Sequence, residues 1–394
     1  MYNKTKVKGI FNDVYYDHVS NFKNWVYSDV FVLFRNPSRI LRYVNSNVKI
    51  FWSCDQWTSG NWKYDTLPYV NKMVCISDYH KKYVEMIHAP IKDGFIQVID
   101  LGVKWKDYNT PSEKEKGKLI YCSVPRRGLK HLSYLFNEIK RRVPYATLYI
   151  TSDYRLWGQE EPDNYEYIEE FRGREGVYFL GKVSRAELVK HQKTSEVMAY
   201  PCNYEECFCI SAMECIASGA IPVTTDIGAM KTTVADSGIL LSNTPGTTEY
   251  DKTFVEEVVS LLTDNKRATA LRKSGYNRAS KRYRWEVISE EWEKLFTNLS
   301  SNMVTCEKCN KSMVNAYILA KHKMKYHPEM VEVPKVDTPE ADAIDYQVLK
   351  FRQPIEVSIN GNRFEGTEVK VPAKYVAAVV EIARNAYGFD VLAI

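Results

Sequence analysis

The chain has 394 residues, 45% of them hydrophobic and 26% charged, with a formal net charge of +5. Such a length allows two or three domains of ~100–200 residues each, and the composition is that of globular protein rather than of a disordered chain. No apolar run reaches the ~18 residues of a membrane span, and the start MYNKTKVKGIFND lacks the apolar core of a signal peptide. A soluble, cytoplasmic protein is expected, in the host cytoplasm if the gene is viral.

The nine cysteines include one Cys-x-x-Cys pair at Cys306; the others lie singly before residue 216. An odd number so scattered predicts reduced core thiols plus one metal site, not a disulfide framework. Charge is unevenly spread. Between Cys306 and His327 stand lysines 308, 311, 321, 323 and 325 against a single acid, Glu307, whereas acids outnumber bases from Glu329 onward.

In chain order, short apolar runs at 29–34, 48–52, 72–76 and 95–99 predict buried strands of a parallel sheet with helical stretches between them. After the charged linker 112–117 the rhythm restarts. Strands are expected at 118–122, 146–150, 177–180, 197–200 and 221–225, with a helix over 129–143 and helical sequence from Phe254 to Phe296. Alternating strands and helices predict two doubly wound α/β domains, 1–112 and 113–300. Their ligands would sit in the cleft outside the carboxyl ends of the strands.

The stretch Tyr200-Pro-Cys-Asn-Tyr-Glu-Glu-Cys-Phe-Cys-Ile-Ser-Ala-Met-Glu-Cys-Ile-Ala-Ser-Gly219 carries the most chemistry. A strand ends at Tyr200, a polar loop follows, and a helix is expected to begin near Ile210 or Ser211. Unpaired amides at that helix start would seat a diphosphate. Glu214, about one turn in, is at the depth of ribose hydroxyls, while Glu206 could address a sugar beyond the diphosphate. Taken alone, two glutamates eight apart could equally be solvated surface acids.

The surrounding pattern resembles the signature of retaining glycosyltransferases of family 4, which have the GT-B fold. Pro201, Glu206, Phe208, Glu214, Ala217, Gly219, Pro222 and Val223 fall in register with that motif. Ile227-Gly228-Ala229 stands where the family has a glycine turn near the donor. Gly181-Lys182-Val183-Ser-Arg-Ala-Glu-Leu188 resembles the loop that packs on the nucleotide base, Val98–Val103 the interdomain stretch, and Arg284-Trp285-Glu286 the closing helix. The resemblance covers roughly residues 70–296. It implies a nucleotide-sugar donor, transfer with retention at the anomeric carbon, and no catalytic metal.

Two departures stand out. After the first donor-domain strand the family has Gly-Arg and then a lysine, both gripping phosphate; here the segment reads Tyr121-Cys-Ser-Val-Pro-Arg-Arg-Gly-Leu129. Arg127 is then expected on the diphosphate, with Arg126 and Lys130 as helpers, since a guanidinium binds phosphate bidentately and stays charged. The first domain is also short and has no Gly-rich loop. Cys54-Asp55 occupies the place of the family's His-Asp pair, so Asp55 is the candidate acceptor-side residue, with a plain turn former as the alternative.

Cys306-x2-Cys309-x12-His322-x4-His327 has the spacing of a tetrahedral zinc site, with Met313 and Leu319 at the core positions of a ββα finger (301–330). So small a piece needs its metal to fold. Counting back from His322, Asn315, Ile318 and Lys321 are the positions that would face bases; a protein-binding finger or a structural knob are the alternatives. Residues 331–394 read as an acidic linker and a small ββα module. Its hairpin is expected at Ile355–Phe364 around an Asn-Gly turn, and its helix from Ala373 to Ala386.

The joined pieces lead to the expectation of a glycosyltransferase acting on nucleic acid, a modified DNA base in particular. The alternatives are transfer to a glycan, lipid-linked sugar or protein, and a non-catalytic nucleic-acid-binding protein with a degenerate transferase core.

Overall fold

The computed structural model describes residues 8–11, 14–17, 28–35, 41, 44, 46–56, 66–88, 91–157, 165–301, 304–310, 312–313, 319, 323, 326–327, 346–359, 362–372, 376 and 379–380. The chain forms two compact units, 1–322 and 323–394.

The first unit opens with a small antiparallel hairpin, β1 (Lys8–Phe11) and β2 (Val14–Asp17). A four-stranded parallel sheet follows in sequential order: β3 (Ser28–Phe34), β4 (Ser46–Trp52), β5 (Lys72–Cys75) and β6 (Ile96–Val98). Helix α1 (Asp78–His88) connects the last two strands. Strand alternation sorts the side chains onto two faces. Val48, Ile50 and Val74 pack on one face, and Phe51, Met73, Cys75 and Val84 on the other.

The second sheet has six parallel strands: β7 (Lys118–Tyr121), β8 (Thr147–Ile150), β9 (Val177–Phe179), β10 (Val197–Tyr200), β11 (Ile221–Thr225) and β12 (Ile239–Leu241). Its spatial order is β12-β11-β10-β7-β8-β9. Renumbered from β7, that is the 3-2-1-4-5-6 order of a dinucleotide-binding fold. The winding reverses between β7 and β10, where such folds bind ligands beyond the carboxyl ends. Helices α2 (Leu129–Arg142), α3 (Tyr165–Phe171), α4 (Arg185–Thr194), α5 (Ile210–Ser218) and α6 (Met230–Thr233) lie between the strands. Each of β7 and β10 is buried along its whole length, as expected of strands covered on both faces.

The helical run expected over 254–296 is three helices: α7 (Thr248–Thr263), α8 (Asn265–Arg282) and α9 (Trp285–Ser301). Asp264 makes the first break by capping α8, its side chain accepting from the Arg267 amide at 3.0 Å. The second break, at Tyr283-Arg284, is where this segment meets the stretch 99–104. Val103 N donates to Tyr283 O at 2.6 Å, and Arg282 Nε binds Asp100 Oδ2 at 2.6 Å. Gly102 is required here because a Cβ would stand 2.6 Å from the Trp285 ring. Past this crossing α9 covers the first sheet, with Ile288 and Leu295 against Val48, Ile50, Val74 and Ile99. The unit ends with the two-residue ladder of β13 (Val304–Thr305) and β14 (Ser312–Met313).

In the second unit, β15 (Tyr346–Ile359) and β16 (Asn362–Pro372) pair antiparallel, with an irregularity between Lys350 and Ile355. The hairpin is longer than the expected 355–364. Its Asn-Gly turn, and most of the helix expected over 373–386, lie outside the described residues.

Candidate active site

Two loops leave the carboxyl ends of β7 and β10 and meet at the reversal point. Gly128 (φ +107°) ends the first loop, and a Cβ there would lie 2.0 Å from the Pro201 carbonyl of the second. No side chain fits, and the backbone conformation favours glycine independently. This contact brings Arg127 to Glu206. Arg127 Nη1 donates to Glu206 Oε1 at 2.7 Å, and the guanidinium lies 4.3 Å from the Tyr204 ring centroid. Tyr200 OH donates to the same Oε1 at 2.8 Å and accepts from Ser123 Oγ at 3.1 Å. Glu206 is only 6% exposed. Burial pushes its carboxyl above the usual carboxylate range, against the pull of Arg127 and Tyr200. Both bonds end on Oε1; Oε2 takes part in neither.

Helix α5 begins after Cys209, which holds a left-handed backbone (φ +66°). Its first intrahelical bond is Met213 N to Cys209 O, so the amides of Ile210 and Ser211 precede the helix's own ladder. Ser211 Oγ ties this start to the end of β7 by donating to Cys122 O at 2.7 Å. Glu214, one turn further along the helix, is 8% exposed. It accepts from Gln192 Nε2 at 3.1 Å and pairs with Arg185 Nη1 at 2.8 Å. Tyr108 OH closes the ring, accepting from Arg185 Nη2 at 2.8 Å and donating to Gln192 Oε1 at 2.7 Å. Burial raises the Glu214 carboxyl too, with Arg185 opposing.

Gly228 (φ +59°) backs the loop. A Cβ there would stand 2.7 Å from both backbone N and O of Glu206, and the next amide, Ala229 N, donates to Glu206 O at 2.7 Å. Lys182 and Val183 lie on the turn between β9 and α4, where Lys182 N donates to Asp153 Oδ2 at 3.2 Å and the Lys182 side chain is exposed. Arg126 is exposed as well. Lys130 pairs with Glu166 of α3 at 3.2 Å on an open surface. Of the three basic residues expected on phosphate, Arg127 is the one bonded to Glu206.

Asp55 sits at the end of β4 with its carboxylate held by Arg35 through two bonds, Nε to Oδ2 and Nη2 to Oδ1 (the latter 3.0 Å). Behind it is the buried His80. Its Nδ1 lies 3.4 Å from the Ile76 amide, which leaves the proton on Nε2, 3.1 Å from Asp55 O and 3.4 Å from Ser53 Oγ. Burial lowers its pKa to about 4, so the ring is neutral at pH 7. Arg35, His80, Tyr108 and Gln192 had no mark in the sequence, while Arg185 and Tyr200 lie in stretches that resemble the family but had no role assigned there. Each reaches its partner only through the fold.

In the finger segment, the Cys306 thiol is buried and the Cys309 thiol exposed. Two thiols two residues apart are the kind of pair that holds a tetrahedral divalent ion such as zinc. Asn310, with a left-handed backbone (φ +54°), donates its amide to Cys306 O at 2.8 Å and turns the Cys-x-x-Cys knuckle. His322, Asn315, Ile318 and Lys321 lie outside the described residues. Among the described residues no helix is long and apolar enough to cross a membrane.

Comparison with known proteins gives the same picture of the fold. Residues 107–278 match the family model described as "Glycosyl transferases group 1". Sucrose-phosphate synthase from Thermosynechococcus elongatus is similar in structure at 17% identity (TM-score 0.52), covering 68% of this chain and 74% of that one. Anabaena Alr3699/HepE, solved with UDP and glucose, is similar at 14% identity (TM-score 0.52), covering 64% and 72%. The pneumococcal O-GlcNAc transferase GtfA, solved with UDP and GlcNAc, is similar at 16% identity (TM-score 0.52); the match covers 66% of this chain and about half, 54%, of GtfA. No curated protein matches the sequence. The architecture is therefore mixed α/β with parallel sheets, the GT-B fold.

Proposed function

We propose that this protein is a glycosyltransferase that moves a sugar from a nucleotide-sugar donor, with retention at the anomeric carbon. The observation that carries the reading is the Arg127–Glu206–Tyr200 constellation at the reversal point of the second sheet, within the segment matching the group 1 family model. In this reading the diphosphate lies against the start of α5, over the amides of Ile210 and Ser211, and Arg127 neutralises the charge that grows on it as the bond to the anomeric carbon breaks. Glu206 Oε2 accepts from a sugar hydroxyl and Glu214 from ribose. Gly228 leaves room beside the loop, and Lys182 and Val183 flank the base. Arg126 and Lys130 supply further positive charge near phosphate. Asp55 stands on the acceptor side, in the first domain. No step calls for a catalytic metal.

For the acceptor we favour a modified base in DNA, supported by the lysine-rich segment around Cys306, Cys309 and His327. These three residues, with His322 as fourth ligand, would hold a structural zinc; Asn315, Ile318 and Lys321 would face the bases. The test is incubation with radiolabelled UDP-, ADP- and GDP-sugars and either plain or hydroxymethylated duplex DNA, beside oligosaccharide acceptors. Label should enter the hydroxymethylated duplex. Label in the oligosaccharides alone would overturn the DNA acceptor, and no donor turnover at all would favour a degenerate core.

A further inference from the structure

The loop that presents Glu206 is held from the first sheet's side as well as its own. The carbonyl just before Glu206, Glu205 O, accepts from Gln56 Nε2 at 2.6 Å. The carbonyl just after it, Cys207 O, accepts from Ser77 Oγ at 2.5 Å. The Glu205 carboxylate accepts from Tyr79 OH at 2.9 Å, and Tyr204 OH donates back to Gln56 Oε1 at 3.2 Å. Three residues of the loop, Tyr204, Glu205 and Cys207, thus meet three side chains that lie 126–149 positions earlier in the sequence.

The adjacent glutamates are divided between the two sheets. Glu205 turns to Tyr79, and Glu206 turns to Arg127 and Tyr200. Ser77 is committed to its part: it is buried, its hydroxyl accepts from His80 N at 3.0 Å, and its one proton goes to Cys207 O. The peptide of Glu206 itself is fixed from the opposite direction by Ala229 N. The carboxylate is therefore aimed by a main chain anchored on both flanks, and two of the anchors belong to the other sheet.

We propose that Gln56, Ser77 and Tyr79 are positioning residues that hold the Glu206 carboxylate in its working orientation, so that sugar transfer proceeds only while the first sheet grips the loop. The proposal rests on the reading of Glu206 as the sugar-binding carboxylate. Donor affinity comes chiefly from α5 and Arg127 in the second sheet, so loosening the grip reaches the transfer step and spares donor binding.

The test uses the full-length protein and the variants Q56A, Y79F and Q56A/Y79F. Without any donor, hydrogen exchange of the Ala229 amide reports whether the loop stays in place. We expect it to quicken about tenfold or more in the double variant, while the amides of α5 stay within about twofold. With UDP-glucose as probe, kcat should fall about tenfold and KM stay within about twofold. Tyr79→Phe and Glu205→Ala remove the same bond, so together they should cost no more than either alone.

Unchanged Ala229 exchange overturns the grip, whether or not the protein transfers sugar. Faster exchange with unchanged kcat, additive Y79F and E205A losses, or a KM that rises as much as kcat falls overturns the positioning role. A wild-type protein that turns over no UDP-, ADP- or GDP-sugar sinks the donor reading instead, and the exchange result still decides the grip.

Discussion

A buried carboxylate paired with a guanidinium makes Glu206 and Arg127 one electrostatic unit. Burial disfavours the charged Glu206, and Arg127 is the largest influence that offsets it. Arg127→Ala should therefore cost about 3 kcal/mol of unfolding free energy at pH 7, because it strands a buried charge. The pH dependence follows from the sign of the shift. Without Arg127 the folded-state pKa of Glu206 rises further above its unfolded value. The folded state is then favoured below the ordinary carboxylate range and loses that advantage as pH climbs through the raised pKa. The deficit of R127A against wild type should be small near pH 4.5 and full by pH 7 in urea titrations. Adding Glu206→Gln to R127A should restore much of the loss at pH 7. An equal deficit at both pH values would show that packing against Tyr204, not charge, is what Arg127 supplies.

Among the connecting elements, the turn at Gly228 shows how tightly the loop is built. An alanine there meets two costs, the left-handed φ of +59° and a Cβ 2.7 Å from the Glu206 backbone. Gly94 separates them, since it has a φ of +70° but nothing within 4 Å of its would-be Cβ. Gly94→Ala should cost about 1 kcal/mol from backbone strain alone. Gly228→Ala should cost about 2–4 kcal/mol, as the loop must shift, and should lower kcat because Glu206 moves with it. Equal thermal shifts for the two variants would mean that the loop yields freely.

The same elements mark the reach of sequence reading. The apolar runs at 118–122, 197–200 and 221–225 were legible as strands because burial on both faces leaves an unbroken apolar signal. The start of α5 was legible because a polar loop meets an apolar helix at Ile210. The breaks at Asp264 and Tyr283 were not, since the helical composition runs through both. The second break exists only because Val103 comes across to pair there, about 180 residues away in sequence. Nor could sequence assign Arg35 to Asp55 or Arg185 to Glu214, as an exposed-looking arginine carries no mark of its partner. Asp55 was singled out by position in a motif, whereas its ion pair with Arg35 is a property of neighbouring parallel strands, β3 and β4.

At the scale of the whole molecule, the contacts that define the candidate site all fall between residues 35 and 229. The Cys306, Cys309 and His327 cluster contributes no group to them. Metal at that cluster should then be separable from donor chemistry. We expect about one zinc per chain by elemental analysis of the purified protein, lost on chelation or in Cys306→Ser, because a segment this small folds around its ion. If the proposed donor site is right, slow hydrolysis of UDP-glucose without acceptor should stay within about twofold of wild type in C306S, since that site shares no group with the cluster. Transfer to hydroxymethylated duplex DNA should fall at least about tenfold, and its salt dependence should flatten as the lysine-rich segment loses its shape. If hydrolysis and transfer decline together, the metal serves the stability of the whole chain. If neither declines, the finger has no part in holding the acceptor, and acceptor choice rests with the first sheet around Asp55 and Arg35.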